Sequence, residues 1–92
     1  MRSAVTEDFR TLLYALPPTI QQQARDAYRI FKVNPAYPGL RYHRVTVKKS
    51  GKELHSVSIG IHYRALGREK NGILEWFWIG YHTIYDQLLA GR

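Results

Sequence analysis

The chain contains no cysteine. Disulfides, thiolate zinc sites and thiol nucleophiles are thereby excluded together, and stability has to come from packing. Acidic residues are scarce, seven Asp and Glu against fourteen Lys and Arg in 92 residues. Glu7, Asp8, Glu53 and Glu69 fall at cap, turn or loop positions, so the paired carboxylates of a glycosidase are not expected. No run approaches the roughly 18 apolar residues that span a bilayer, and the opening Met1 to Asp8 turns acidic where a secretory signal turns apolar. A cytoplasmic protein with no membrane partner is the expectation. Gly-rich phosphate loops, nucleophile elbows, EF-hand loops and His-Glu-x-x-His motifs are all missing. His43, His55, His62 and His82 lie on separate predicted elements at no ligand spacing, so neither a metal nor a cofactor is expected.

What the chain has in excess is positive charge, a formal +7 with a pI near 10.0. The excess is concentrated. Between Asp26 and Glu53, Arg29, Lys32, Arg41, Arg44, Lys48, Lys49 and Lys52 meet no acidic residue. A solvated basic face explains this without a ligand; nucleic acid, acidic lipid or an acidic protein explains it with one. At 45% hydrophobic residues the chain is too apolar to stay disordered, and its length suits a single domain over 1–92.

Phe9, Leu12, Leu13 and Leu16 recur at helical spacing behind Thr6 as N-cap, which predicts a helix over about 7 to 16. Pro17-Pro18 stops it, and Pro18 suits the first position of a second helix carrying Ile20, Ala24, Ala27, Tyr28 and Phe31 up to Asn34-Pro35. From Arg41 the period shortens. Strands are predicted over 41–47, 53–59, 62–67 and 73–79, with Ser50-Gly51 and Asn71-Gly72 as turns, followed after Gly80 by a short helix carrying Ile84, Leu88 and Leu89. The predicted fold is therefore α+β: an N-terminal αα-hairpin packed on an antiparallel four-stranded meander, with a small C-terminal helix. Trp76 and Trp78, alternating in a strand apolar on both faces, are predicted to be core.

Among the residues able to do chemistry, Arg64 stands first. On its strand it shares a face with His62 and Leu66, and an Arg held by a strand is a rigid phosphate ligand; the competing expectation is an ion pair with Glu75 on the neighbouring strand. His82 and Tyr85, three apart, offer an imidazole and a phenol on one side of a helical turn, against which stand a surface histidine and a half-buried aromatic.

The run Phe9-Arg10 through Leu16-Pro17, then Asn34-Pro35, Ser56-Val57, Ile59-Gly60, Tyr63-Arg64-Ala65-Leu66-Gly67, Trp76-Phe77-Trp78-Ile79-Gly80, His82 and Tyr85-Asp86 resembles the RelE/ParE superfamily of bacterial type II toxin–antitoxin toxins, over nearly the whole chain. The resemblance implies a RelE-like fold and a cognate antitoxin. It also implies one of two activities: metal-independent, ribosome-dependent endoribonuclease action on mRNA, or ParE-like inhibition of DNA gyrase; a degenerate, non-toxic binding module is a third outcome. For the ribonuclease, the matching positions assign Arg64 to the scissile phosphate and His82 and Tyr85 to proton transfer and substrate stacking. Arg41, His43, Arg44, Lys48, Lys49 and Tyr63 then contact RNA. Ser58 and His43 depart from the branch pattern, each standing where a basic side chain, a lysine at 43, is usual.

Overall fold

The computed structural model describes residues 2–91. Its elements run β1 (Arg2–Val5), α1 (Glu7–Tyr14), α2 (Pro18–Val33), a 3-10 turn (Pro38–Leu40), β2 (His43–Thr46), β3 (Glu53–Ile59), β4 (Tyr63–Lys70), β5 (Ile73–Tyr81) and α3 (His82–Ala90). The predicted helical hairpin, meander and terminal helix are all present, on one sheet of order β1-β5-β4-β3-β2. No helix among the described residues is long and apolar enough to cross a membrane.

The strand count is corrected from four to five. Arg2–Val5 pairs in parallel with β5, Arg2 beside Ile73 and Val5 beside Trp76, and the amide of Thr6 extends the ladder to the Trp76 carbonyl at 3.0 Å. Four residues are too few to show a period, and this strand exists because β5 leaves a free edge for it. Thr6 then turns the chain into α1, its hydroxyl accepting from the Phe9 amide at 3.1 Å. Helix α1 ends at Tyr14 rather than Leu16. The amides of Ala15 and Leu16 bond to Leu12 and Leu13 in tighter turns, because Pro17 disfavours helical geometry in the residue before it. The first predicted strand is shorter too, since Arg41 takes a left-handed conformation (φ 49°) that keeps it out of β2. Asn71 and Gly72, both at positive φ, close the β4–β5 hairpin as expected and let β4 run on to Lys70.

One sheet face carries the hairpin. Phe9, Ala24 and Phe31 from the helices meet Val57, Ile59, Ala65, Leu74, Trp76 and Ile79, with Phe31 edge-on to both Trp76 (5.3 Å) and Tyr42 (5.1 Å). The opposite face carries α3, where Leu54, Leu66 and Tyr85 form a smaller cluster with Phe77, Trp78 and Leu88. A bulge divides the two tryptophans. Leu66 faces Trp78 and Gly67 faces Trp76, leaving Phe77 as the extra residue, so that Trp76 and Ile79 both enter the hairpin core while Phe77 and Trp78 both turn to the α3 side. Trp76 is core as predicted; Trp78 is only half-buried in the second cluster.

Candidate nucleic-acid interface

Because paired strands project their side chains in rows, register decides which polar groups meet on the α3 face. Ser58 pairs with Arg64 and Arg64 with Gly80; in the next row His43 pairs with Ser56, Ser56 with Leu66 and Leu66 with Trp78. Helix α3 covers the second row through Tyr85, Leu88 and Leu89. The first row stays open. There Arg41, Ser58, Gly60, Ile61 and Arg64, with Pro38 and Gly39, line a cleft of about 400 Å³. Gly80 keeps the row flat: a Cβ there would sit 2.6 Å from the Trp78 ring, which lies across it.

The Arg64 guanidinium is fixed from behind. Its Nη1 donates to the carbonyls of Tyr63 (2.9 Å) and Ile61 (3.4 Å), and among the described residues no carboxylate lies within ion-pair distance. The expected alternative partner, Glu75, instead receives Arg68 Nε at 3.4 Å, because register sets Glu75 beside Arg68 rather than Arg64. Arg41, brought to the cleft wall by its left-handed backbone, is likewise without an ion pair among the described residues. Its carbonyl bonds to His43 Nδ1 at 2.6 Å; with the Nδ1–H donated there, a neutral His43 ring offers Nε2 outward. Two arginines line this cleft and no acid is among its lining residues, so the cleft carries positive charge.

Other predicted site residues lie elsewhere. Tyr85 is a correction: it is 8% exposed and its hydroxyl donates to the fully buried Ser56 Oγ at 2.9 Å, so the phenol anchors α3 and does not reach substrate. Arg44 is a second correction, since alternation along β2 turns it to the hairpin side, where it pairs with Glu53 at 3.3 Å. Tyr63 packs at the hairpin-side edge, T-shaped to Tyr81 at 5.4 Å. Lys48 and Lys49 sit in the β2–β3 turn beside the far end of α3, where the Lys48 amide bonds to the Leu89 carbonyl at 2.8 Å.

His82 opens α3, and its amide donates to the His62 carbonyl at 2.8 Å. The two imidazole centroids are 6.1 Å apart, and Tyr81 lies against both rings, at 4.7 Å from His82 and 5.8 Å from His62. His62 lies in the turn before β4, which opens at Tyr63 rather than at the expected 62. His62 and Tyr81 received no role from the sequence, and the expected strand face shared by His62 and Arg64 does not form because His62 sits in the turn.

His55 is removed from the chemistry. It is 6% exposed on the hairpin side, stacked on Tyr42 and joined to its hydroxyl through Nδ1 at 2.8 Å. Burial, reinforced by the Arg44 charge, holds its pKa below the ordinary imidazole value, while burial pushes the Tyr42 phenol up.

Two helices over one face of a mostly antiparallel sheet, with an arginine-lined cleft on the other, define a small α+β domain. The family comparison is specific about its class: a ParE-like toxin domain model matches residues 18–87, and the chain belongs to that family, within the RelE/ParE superfamily of toxin–antitoxin toxins. Solved structures share the fold. YafQ from E. coli strain BL21(DE3) matches with a TM-score of 0.68 at 10% identity over 92% of this chain and 98% of that one. The archaeal RelE–RelB complex from Pyrococcus horikoshii OT3 matches with 0.64 at 14% identity, over 87% and 92%. The RelBE2 toxin–antitoxin complex from Mycobacterium tuberculosis matches with 0.57 at 20% identity, over 87% and 95%. No curated protein matches the sequence.

Proposed function

We propose that this toxin is a metal-independent endoribonuclease that cuts mRNA on the ribosome, with the Arg41–Ser58–Arg64 cleft as its phosphate site. The observation that carries the reading is the pair of arginines facing one open cleft with no ion-pair partner among the described residues. In such a cut the ribose 2′-oxygen loses its proton and attacks the adjacent phosphorus; the bond to the 5′-oxygen breaks and that oxygen takes up a proton. The products are a 2′,3′-cyclic phosphate and a 5′-hydroxyl. Arg64, already held by two carbonyls, offers its remaining N–H groups to the phosphorane oxygens without reorganising, and Arg41 adds charge from the facing wall. His82, at the start of α3, is the proton-transfer group, while His43, Lys48 and Lys49 steer the flanking backbone.

Two of the similar structures are toxin–antitoxin complexes, which supports an antitoxin partner for this chain as well. Tyr14 (66% exposed) and Ile84 (46%) are exposed apolar contacts for it, whereas Leu13 packs into the main core. The test is induced expression in bacteria with primer extension on a reporter message. Codon-phased cuts that vanish in Arg64→Ala support the reading; full cutting by that variant overturns it. A second reading, a gyrase-directed inhibitor, is favoured by the burial of Tyr85, which removes one of the two proposed proton-transfer groups. Growth arrest with DNA-damage signalling and no cuts is its signature.

A further inference from the structure

RNA cleavage by the route above needs a base for the 2′-hydroxyl and an acid for the 5′-oxygen, and with Tyr85 in the core His82 stands without its expected partner. We infer that His62 is that partner: His62 and His82 form the acid–base couple of the proposed ribonuclease, one imidazole serving each oxygen. This inference rests on the ribonuclease reading and deepens it.

Three features support the assignment. The rings are close enough to act on one phosphodiester: their centroids are 6.1 Å apart, and each nitrogen needs to come within about 3 Å of its own oxygen, on either side of a single phosphorus. They are also fixed. The bond from the His82 amide to the His62 carbonyl ties the two backbones, and Tyr81 lies against both rings. The turn that presents His62 requires glycine at 60, where φ is +61° and a Cβ would meet Gln23 Oε1 of α2 at 2.4 Å. Finally, the couple adjoins the phosphate cleft: Ile61, next to His62, lines it, and the Ile61 carbonyl holds Arg64.

At the start of the reaction one imidazole is neutral and the other protonated. The neutral ring takes the 2′-proton as the oxygen–phosphorus bond forms, and the protonated ring gives its proton to the 5′-oxygen as that bond to phosphorus breaks. The ends exchange protonation state, and solvent resets them. The ionisable groups nearest the couple along the chain are Tyr63 and Arg64, which follow His62 on β4, Tyr81, which lies against both rings, and Asp86, four residues after His82 on α3.

The experiment uses the full chain with ribosomes programmed with a short mRNA, carrying either a natural phosphodiester or a 5′-bridging phosphorothiolate at the cut site. The sulfur leaving group departs without a proton, so it restores cutting to a variant that lacks only the acid. His62→Ala and His82→Ala are each expected to slow cleavage of the natural message about a hundredfold or more. The melting temperature should stay near wild type. The sulfur substrate should rescue one of the two variants and not the other, and the bell-shaped pH–rate profile should lose one limb in each. Wild-type cutting that survives in His62→Ala, or rescue of both variants or of neither, overturns the couple while leaving the ribonuclease standing. A wild-type protein that cuts neither substrate overturns both.

Discussion

Replacing Tyr85 by phenylalanine separates a structural from a chemical role for the phenol. Ser56 is 0% exposed, and its Oγ accepts the Tyr85 hydroxyl at 2.9 Å. Phenylalanine keeps the ring that packs on Leu54 and Leu66 and deletes only this bond, leaving a buried hydroxyl without its donor. A buried polar group stranded in this way costs about 1 to 3 kcal/mol. For a domain of this size each kcal/mol moves the melting temperature by about 4 to 8 °C, so a fall of about 4 to 24 °C is expected. Ser56→Ala should destabilise by a similar amount, since it strands the phenol instead. The double variant removes both polar groups, so its loss should fall short of the sum by about 1 to 2 kcal/mol. The assay is thermal and urea unfolding of the four proteins, alongside primer extension at a temperature where all are folded. There, Tyr85→Phe should cut at a rate within about twofold of wild type, because the hydroxyl makes no transition-state contact. A Tyr85→Phe protein with wild-type stability and a hundredfold loss of cutting would refute the structural role and restore the phenol to the chemistry.

Three further expectations follow from the same geometry. Arg64→Ala should lower cleavage by about a hundredfold or more while leaving the unfolding midpoint nearly unchanged, since among the described residues the side chain bonds two carbonyls and pairs with no acid; a large stability loss in urea titration counts against the phosphate role. His55 has a folded-state pKa below its unfolded value, so the unfolded chain binds more protons as the pH drops. Its contribution is complete above the ordinary imidazole pKa and is lost as pH falls through the lower folded value. The urea midpoint should drop between pH 7 and 5 in wild type and less in His55→Gln; equal slopes would remove His55 as the cause. Association with programmed ribosomes should weaken with salt, with a log–log slope of about −2 for three single-strand phosphate contacts, and Arg41→Ala should flatten it by somewhat under one unit. A salt-independent affinity favours an apolar protein contact instead.

Local rules carried most of the fold. Thr6, Pro17-Pro18 and Asn34-Pro35 bound the helices through chemistry that acts within a few residues, and Asn71-Gly72 set the β4–β5 hairpin because both positions accept positive φ. Strand β3 fell where alternation placed it, at 53–59. Strand β1 did not show, because a four-residue edge strand owes its existence to a distant neighbour, and the bulge that separates Trp76 from Trp78 arises only where β4 and β5 pair.

The site divides in the same way. Charge excess and the identity of Arg64 are properties of the string. Whether an arginine is neutralised depends on register across strands: a pairing of Glu75 opposite Arg68 freed Arg64, and alternation turned Arg44 toward Glu53. Tyr85 looked like a chemical group for the same reason that it is a core group, a phenol on an apolar turn, and only the sheet beneath α3, with Ser56 waiting as acceptor, decided which. Sequence thus determined the helices, the meander strands and their charges, which depend on neighbours along the chain. The tertiary structure alone decided which polar side chains share a face without a partner, because that depends on residues brought together across strands.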